Sequence, residues 1–362
     1  MRDDDYLGYE PALDGLRAIA ILATIAVHAA FYLPGPWIKL FPGAWIGVDI
    51  FFVLSGFLIT RLLADEMRRN GRIGLGRFYI RRVLRLLPAY AVMLLAVVLF
   101  SACVLHDRDV YTAALVSIGY IMNWSRAFAW FPQASLGHTW SLSMEEQFYI
   151  IWPTAFILMR GRRPLLWLAA LIAAMVAWRS FLAVGGSSPE RVYNGFDTHA
   201  DTLLIGCALA VARPGEELRR IAGRFAIVPV VALAAVLMGF TYRSPFVQTV
   251  GFSLAGFATA WVTVAAIQPG WLKRALSVRP LVYTGKISYG LYLWHAPILI
   301  IGPRYIEGYP SLLLIPASFA IAALSHAYIE KPFLRLKTRF EPSRQRMQVQ
   351  EEMLGEAALG GV

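Results

Sequence analysis

Residues 13–33 read LDGLRAIAILATIAVHAAFYL, a stretch about as long as one membrane-spanning helix that nevertheless contains an arginine and a histidine. Arg17 and His28 are eleven residues apart, which is within about 20° of three full helical turns and places them on one face. Their Cα atoms would lie about 16 Å apart along the axis. Because an ionisable residue inside a membrane span is costly, it indicates a functional site that faces the interior of a helix bundle.

The composition is that of a polytopic membrane protein. Of the 362 residues, 58% are hydrophobic and 16% are charged, whereas soluble domains carry about a quarter charged residues. Runs of about 20 apolar residues recur along the whole length. We predict an all-α, polytopic integral membrane helical bundle. One membrane domain is expected at residues 1–340 and a flexible cytoplasmic tail at 341–362, and no N-terminal signal peptide is recognised.

The apolar segments predict about ten transmembrane helices and one additional short re-entrant or interfacial helix. The ten segments lie at about residues 12–33, 43–64, 84–105, 138–159, 164–183, 197–213, 224–241, 246–268, 284–302 and 311–330. A weaker apolar segment at 110–124 is expected to be the additional short helix, in or on the outer half of the bilayer.

The basic residues predict the orientation. With ten spans and a cytoplasmic N-terminus, 26 of the 34 lysines and arginines fall in the tail or in loops on the cytoplasmic side, as the positive-inside rule requires. We therefore expect a protein integral to the plasma membrane (the inner membrane in bacteria) with both termini cytoplasmic. The net charge of +11 then indicates contact with membrane lipids or an anionic cofactor, and no nucleic-acid partner is expected.

This orientation predicts a polar layer inside the bundle. Arg17 would lie near the cytoplasmic side and His28 in the outer half of the bilayer. Six ionisable residues from four other predicted spans would reach a level similar to that of His28: Asp49, Glu145, Glu146, His199, Asp201 and His295. Scattered structural polar residues have no reason to share a depth, so we predict a hydrated chamber at this level.

Seven motifs, in the same order as in a known family, make a resemblance specific. They are ALDGLRAIAILATIAVH (12–28), WIGVDIFFVLSGFLIT (45–60), RFYIRRVLRLLPAY (77–90), HTWSLSMEEQFYIIWP (138–153), HADTLLIG (199–206), GKISYGLYLWHAPI (285–298) and YIEKPF (328–333). The chain resembles the membrane-bound acyltransferases of the acyltransferase type 3 family, in its stand-alone form. That resemblance implies O-acylation of a sugar or glycoside hydroxyl by acyl-CoA. Acetyl-CoA is the expected donor, succinyl and longer chains stay open, and no metal is expected.

The family's motif of an arginine, ten residues and a histidine falls on Arg17 and His28. The resemblance implies that His28 is catalytic and that Arg17 supports acyl-CoA or the geometry of the site. A neutral imidazole can take a proton from a hydroxyl or accept the acyl group itself near neutral pH. The alternative is a structural histidine that bonds to a neighbouring helix.

Glu145 and Glu146 are predicted to lie on one helix, where neighbouring side chains point about 100° apart. We therefore expect only one of them to face His28, and Glu145 is the candidate to orient its imidazole, as a carboxylate does in a catalytic triad. Glu146 is a candidate for substrate binding. The alternative is a buried carboxylate pair that neutralises a structural arginine.

Four further residues are candidates for binding the acceptor. Asp49 and Asp201 would bind its hydroxyls or would only pair with internal arginines, and the sequence favours neither. His295 lies shortly before a proline, and structural and acceptor-binding roles are equally open for it. Asp14, in the first motif, is also assigned to substrate binding.

Arg81 and Arg85 are four residues apart, on one stripe of a predicted helix, with Arg82 beside them. Any cytoplasmic loop is expected to be rich in arginine. Guanidinium groups also bind phosphates in a bidentate manner, and coenzyme A carries a 3′-phosphate and a diphosphate. The family match in this motif favours contact of Arg81, Arg82 or Arg85 with the cofactor.

Two other functions compete with acyl transfer to a sugar. The first is a transporter or flippase of a lipid-linked glycan, for which the polar layer would be the translocation path. Transporters often contain paired repeats, and residues 12–160 and 164–330 show no convincing internal match. The second is an acyltransferase that acts on lipids or proteins.

Overall fold

A computed structural model of the chain describes residues 8–30, 41–159, 161–306 and 310–340. Within these ranges the chain forms helices and no β-strand, so the predicted all-α fold is confirmed. The expected tail at residues 341–362 lies outside the described residues. The single membrane domain over residues 1–340 stays a prediction.

The described residues form α-helices numbered here in chain order. They are α1 Pro11–Ala30, α2 Ile46–Asn70, α3 Leu75–Phe100, α4 Asp109–Ile118, α5 Met122–Phe128, α6 Trp140–Leu158, α7 Pro164–Val184, α8 Pro189–Asn194, α9 Phe196–His199, α10 Asp201–Ala212, α11 Glu216–Arg224, α12 Ile227–Gly239, α13 Phe252–Ala266, α14 Trp271–Leu276, α15 Arg279–Lys286, α16 Ser288–Ile301, α17 Pro310–Ser325 and α18 Lys331–Lys337. π-helical turns follow α3 (Ser101–Leu105), precede α13 (Val247–Gly251) and join α17 to α18 (His326–Glu330). Short 3-10 segments lie at Ala134–Thr139, Gly302–Arg304 and Thr338–Phe340.

Six helical segments of the described chain are long and apolar enough to cross a membrane. They are Pro11–Ala29, Ile46–Asn70, Leu75–Leu105, Pro164–Val184, Val247–Ala266 and Leu312–Lys337. Helices α11 and α12 meet at a bend of 54° and would add a seventh span if they count as one. Membrane-spanning helices are thus present as predicted, but the count of ten is not confirmed.

One part of the difference in count arises at residues 197–213, where polar side chains interrupt an apolar run. The span predicted at residues 197–213 is split between α9, which ends at His199, and α10, which has only 12 residues. Near the break, His199 Nδ1 donates to the Tyr193 carbonyl at 2.7 Å, and the Thr198 hydroxyl donates to the Val192 carbonyl at 2.8 Å. Such local bonds from side chains to backbone compete with helix propagation, and apolar content alone does not reveal them.

The weak segment at residues 110–124 forms two short helices rather than one span. α4 ends at Ile118, α5 begins at Met122, and Tyr120 between them has a φ of 51°. A left-handed residue of this kind ends a helix. Short helices at this point agree with the prediction of an additional non-spanning element, whose depth in the bilayer stays a prediction.

Helix α2 lies at the centre of the fold and packs closely on α10. A Cβ added at Gly56 would lie 2.0 Å from the Leu203 carbonyl oxygen, and one added at Gly206 would lie 2.1 Å from the Val53 carbonyl oxygen. The two backbones therefore touch through glycine on both sides, as small residues allow in membrane helix pairs. Gly56 is therefore a close-packing position.

Gly56→Ala is therefore expected to destabilise the protein by about 1–3 kcal/mol, because the new methyl group forces α2 and α10 apart. The measurement is the midpoint of thermal denaturation in detergent. Gly76→Ala in α3 is the matched control, since no atom lies within 4 Å of its added Cβ and alanine favours a helix. Equal midpoints for the two variants would contradict the close crossing.

Candidate functional site

Helix α1 carries Arg17 near its start and His28 near its end. Arg17 Nη1 lies 3.8 Å from Asp14 Oδ1, and the Tyr9 hydroxyl donates to Asp14 Oδ2 at 2.9 Å. Asp14 is therefore paired at the Arg17 end of the helix. Its predicted role in substrate binding stays a prediction.

A central cavity of about 100 Å³ opens beside Arg17. It lies between α1, α2, α3, α6 and α16, and its polar lining residues are Arg17, Ser55, Arg82, Arg85, Ser141, Glu145, Tyr149, Ser288, Tyr289 and Tyr292. Three arginines lie on this wall together with Glu145. Ser141 and Tyr292 also contribute to the lining, and their hydroxyl oxygens lie 2.6 Å apart.

Glu145 lies among the arginines of the central cavity. Its carboxylate interacts electrostatically with Arg82, Arg17 and Arg85 and contacts Ser55. This corresponds to the alternative in which a carboxylate neutralises buried arginines. Among the described residues, the structure shows no contact between Glu145 and the His28 ring, although this pairing was expected. His138, which does lie near His28, belongs to the 3-10 segment before α6, and Glu145 follows it seven positions later, about 10 Å further along the helical axis.

Glu146 points to the other side of α6. Its neighbours are Arg82 and the rings of Tyr90 and Tyr120, which stack on each other with centroids 5.6 Å apart. The two glutamates thus diverge as their adjacent positions on a helix require. Both share Arg82 as a neighbouring charge. Substrate binding by Glu146 stays a prediction.

His28, His138 and His295 form a compact group, called the histidine cluster below. The rings of His28 and His295 meet edge to face with centroids 4.9 Å apart, and those of His138 and His295 do so at 5.6 Å. The Tyr292 ring lies 5.7 Å from that of His295, so the cluster adjoins the residue that also lines the central cavity. The structure therefore brings together His28 and His295, both of which were predicted from the sequence.

The hydrogen bonds of the cluster determine which ring nitrogens are basic. Nδ1 of His28 donates to the Thr24 carbonyl at 3.0 Å, and Nδ1 of His295 donates to the Leu291 and Tyr292 carbonyls at 3.0 and 2.8 Å. In a neutral imidazole the proton then resides on Nδ1 and Nε2 carries the lone pair. His28 is half-buried, so its Nε2 is suited to accept a proton from a bound hydroxyl.

Asp49 is fully buried and is hydrogen-bonded to a histidine. Its Oδ1 accepts from His199 Nε2 at 2.7 Å, and both side chains have no exposed surface. His199 is held in turn through Nδ1 by the Tyr193 carbonyl. The partner of Asp49 is thus a histidine rather than the arginine considered from the sequence, and substrate binding by Asp49 stays a prediction.

Asp201 is the centre of a second buried network. Arg179 Nη1 donates to Asp201 Oδ1 at 2.7 Å, and the Ser253 hydroxyl donates to Asp201 Oδ2 at 2.5 Å. Arg179 is fully buried and also donates to the Thr249 carbonyl. Asp201 therefore pairs with an internal arginine, which was one of its two predicted alternatives.

The three arginines of the basic run differ in their surroundings. Arg81 forms an ion pair with Glu66 at 3.0 Å and donates to the Phe340 carbonyl. The guanidinium of Arg82 lies 4.4 Å from the centroid of the Tyr149 ring. Arg85 lines the central cavity and also a second cavity, of about 70 Å³, that Arg81 and Arg82 share. The run thus links the two cavities.

The second cavity is lined by side chains of both charges. Its charged residues are Asp65, Glu66, Arg69, Arg81, Arg82, Arg85 and Lys337. Lys337 lies in α18, far from the basic run in sequence, and was not among the predicted site residues. Its position adds a fifth basic group where a phosphate would be expected to bind.

Sequence reasoning also missed His138 and Arg126. His138 begins the fourth motif but was not among the predicted site residues. Arg126 was not among them either, yet its charge lies near His28 and His138. Within the described ranges, no group of three or more histidine, cysteine, aspartate or glutamate side chains is arranged to hold a metal ion.

Comparison with known protein families matches residues 10–329 to a family described as "Acyltransferase domain". The chain belongs to this family of acyltransferases. The match spans almost all of the described residues and includes the central cavity, the histidine cluster and every charged residue of the second cavity except Lys337. It confirms the family that the sequence motifs indicated.

Curated acyltransferase relatives agree with this assignment. The peptidoglycan O-acetyltransferase OatA of Listeria monocytogenes is 36% identical over 356 residues, which cover 90% of this chain and 56% of the relative. The O-acetyltransferase OatA of Staphylococcus aureus is 33% identical over 352 residues, which cover 90% and 57%. The chain thus spans a little over half the length of these relatives. No solved structure shows a significant match.

Proposed function

We propose that this chain is an integral membrane O-acyltransferase that moves an acetyl group from acetyl-CoA to a hydroxyl of a cell-wall carbohydrate. The observation that supports this most is the central cavity, which joins Arg17, Arg82 and Arg85 to Tyr292. Tyr292 in turn contacts the histidine cluster. Tyr292 thus lies between the arginine-lined cavity and the histidine cluster.

The donor would bind by its phosphates at the arginines. Guanidinium groups form bidentate bonds with phosphates, and Arg82 and Arg85 border both cavities. The extended pantetheine arm would run past Arg17 and bring the thioester towards His28. Eleven residues of helix separate these two side chains, an interval of about 16 Å.

His28 would act as the general base. Its Nε2 takes the proton from the acceptor hydroxyl while that oxygen attacks the thioester carbonyl carbon. The carbon–sulfur bond then breaks, and the coenzyme A thiolate takes up the proton from the imidazolium. In a second version of the step, Nε2 itself attacks the thioester and an acyl-histidine passes the acetyl group to the hydroxyl. Glu145 would support the reaction from the side of the central cavity that the arginines line.

The proposed acceptor is a carbohydrate, either peptidoglycan or a lipid-linked precursor. Relatives that are named O-acetyltransferases, one of them a peptidoglycan O-acetyltransferase, support this class. The proposed location is the plasma membrane, with about ten spans, both termini in the cytoplasm and membrane lipids around the bundle. The positive-inside distribution of arginine and lysine supports that orientation.

A transporter or flippase without acyl-transfer chemistry is not favoured. The matched family consists of acyltransferase domains, and the curated relatives carry O-acetyltransferase names. Acceptor hydroxyls on lipids or proteins are distinguished from those on a glycan by where the transferred label is found.

The deciding experiment incubates membranes that contain the chain with radiolabelled acetyl-CoA and purified peptidoglycan. We expect release of coenzyme A together with an alkali-labile label in the glycan. Membranes from cells that lack the chain provide the background. Label only in protein or in lipid that carries no glycan would contradict the proposed acceptor, and no release of coenzyme A would contradict acyl transfer.

Arg85→Gln is expected to raise the KM for acetyl-CoA about tenfold, because one charge-assisted bond to phosphate contributes about 1.5–3 kcal/mol. The KM for the acceptor should change little. Arg220→Gln is the matched control, since Arg220 lies on an exposed helix and pairs only with Glu216 and Glu217 among the described residues.

The neighbouring Arg81→Gln variant sharpens this test. Arg81 is engaged by Glu66 and the Phe340 carbonyl, so its loss is expected to lower stability more than donor affinity. If Arg85→Gln changes only the amount of inserted protein and leaves the KM for acetyl-CoA unchanged, the arginines serve membrane topology rather than the donor.

A further inference from the structure

The imidazole of His138 is buried and makes no well-formed hydrogen bond within the described ranges. The residue is only 4% exposed, and the backbone carbonyls of Leu293 and Ser135 approach its ring without reaching hydrogen-bond geometry. An unpaired buried polar group costs about 1–3 kcal/mol, so native structures satisfy nearly all of them with protein, water or ligand. The two nitrogens of His138 therefore point to a bound molecule.

The backbone around this imidazole is, by contrast, firmly held. Arg126 Nη1 donates to the Gly137 carbonyl at 3.1 Å, and the Tyr292 hydroxyl donates to the His138 carbonyl itself. Tyr292 is fixed in turn by the Ser141 hydroxyl at 2.6 Å. Two side chains thus position consecutive carbonyls while the ring between them stays unpaired, which is how a preorganised binding group is built.

Two further unpaired atoms belong to the same neighbourhood. Nε2 of His295 is buried without a partner among the described residues, and the rings of His295 and His138 are 5.6 Å apart. Nε of Arg126 is also buried and unpaired within these ranges. Four buried polar nitrogens near His28 therefore lack a well-formed hydrogen bond among the described residues.

The chemistry of these nitrogens selects the kind of ligand. His295 Nε2 carries a lone pair, because its Nδ1 proton is bound by backbone carbonyls, so it accepts a hydrogen bond. Arg126 Nε can only donate, and a neutral His138 donates from one nitrogen and accepts at the other. Hydroxyl groups suit such a mixture of donors and acceptors, because each hydroxyl can both donate and accept a hydrogen bond. An anion can only accept, so it would be repelled by the lone pair on His295 Nε2.

We propose that His138, together with His295 and Arg126, binds the hydroxyl groups of the carbohydrate ring that neighbour the hydroxyl acetylated at His28. This inference rests on the proposed function and adds an acceptor subsite to it. A sugar ring presents hydroxyls on adjacent carbons, so one hydroxyl at His28 brings its neighbours to His295 and His138. His138 is thereby an acceptor-binding residue, not the base.

A binding experiment tests the subsite without any acyl transfer. Purified protein in detergent is titrated with the disaccharide fragments released from peptidoglycan, and its thermal midpoint is followed. We expect saturable stabilisation of the wild type and its loss in His138→Phe, which keeps an aromatic ring but removes both nitrogens. If the disaccharide fails to stabilise the wild type, or stabilises His138→Phe equally, the site holds water only and the proposal is overturned.

A kinetic experiment separates this role from a structural one. With radiolabelled acetyl-CoA, His138→Phe is expected to raise the KM for the disaccharide about tenfold and to leave the KM for acetyl-CoA within about twofold. His138→Asn, which keeps a donor and an acceptor, should recover most of the affinity. His326→Phe is the control, since His326 pairs with Glu330 outside the cluster.

The outcomes distinguish this inference from the proposed function. A wild type that binds the disaccharide but transfers no acetyl group would contradict the proposed function and leave the subsite supported. A wild type that transfers acetyl, with an unchanged acceptor KM in His138→Phe, would overturn the subsite and leave the proposed function intact. Equal loss for both substrates with less folded protein would show a structural role and also overturn it.

Discussion

Replacing His28 with glutamine is expected to lower the rate of acetyl transfer about 10²- to 10⁴-fold, the usual contribution of a general base. Glutamine approximates the length of histidine and can still bond to the Thr24 carbonyl, but it has no lone pair on nitrogen to accept a proton. The KM for acetyl-CoA should stay within about twofold of the wild-type value, because the arginines that would bind the donor lie near the Arg17 end of α1, away from His28. The measurement is the initial rate of acetyl transfer per amount of folded protein.

The control for this variant is His106→Asn. His106 has a φ of 55°, a left-handed conformation that asparagine tolerates, and it lies after the π-helical turn that follows α3. The activity of the His106→Asn variant should equal that of the wild type. A His28→Gln protein that keeps its rate per folded molecule but denatures at lower temperature would show that His28 is only a structural histidine.

The second large effect is expected at the buried ion pair of Arg179 and Asp201. Arg179→Met should destabilise the protein by about 3–5 kcal/mol, because it leaves the Asp201 carboxylate buried with only the Ser253 hydroxyl as a partner among the described residues. Both side chains of the pair have no exposed surface. The measurement is the fraction of monodisperse protein after heating in detergent, followed by size-exclusion chromatography.

Two further variants test the physical reason. The double variant Arg179→Met with Asp201→Leu removes both charges and should recover most of the lost stability, since an apolar pair replaces a buried ion pair at little cost. Arg220→Met breaks an exposed pair with Glu217 and should cost less than about 1 kcal/mol. A midpoint for Arg179→Met equal to that of Arg220→Met would mean that water reaches the pair.

Some of the site could be predicted from one helix. The spacing of Arg17 and His28 placed them on the same face of α1, because a helix has a fixed rotation per residue. Apolar runs and low charge predicted an all-α membrane protein, and the motifs predicted the family that the comparison confirms. These conclusions depend on local geometry or on residue identity in order along the chain.

Which residues contact each other across helices could not be predicted in the same way. Glu145 was expected beside His28, but it lies among arginines, and His138, in the 3-10 segment before α6, lies near His28 instead. Asp49 and Asp201 had two open roles, and the structure pairs them with His199 and Arg179. Depth along a span constrains a residue to a layer, whereas the rotation and offset of each helix select its partner within that layer.

The span count illustrates the same limit. Hydropathy treats residues 197–213 as one apolar segment, but side-chain bonds to backbone carbonyls divide it between α9 and α10. Buried helices inside a bundle need not reach across the hydrocarbon core, because neighbouring helices satisfy their ends. The predicted count of ten spans is therefore not confirmed among the described residues.

By itself, the sequence determined the helical class, the acyltransferase family and the shared face of Arg17 and His28, since each follows from composition, motif order or the period of one helix. Only the tertiary structure decided that His295 and His138 accompany His28, that Glu145 belongs with the arginines, and that the two buried aspartates are paired. The physical reason is that these contacts join helices distant in sequence. Their relative placement is set by packing such as the glycine contacts of α2 and α10.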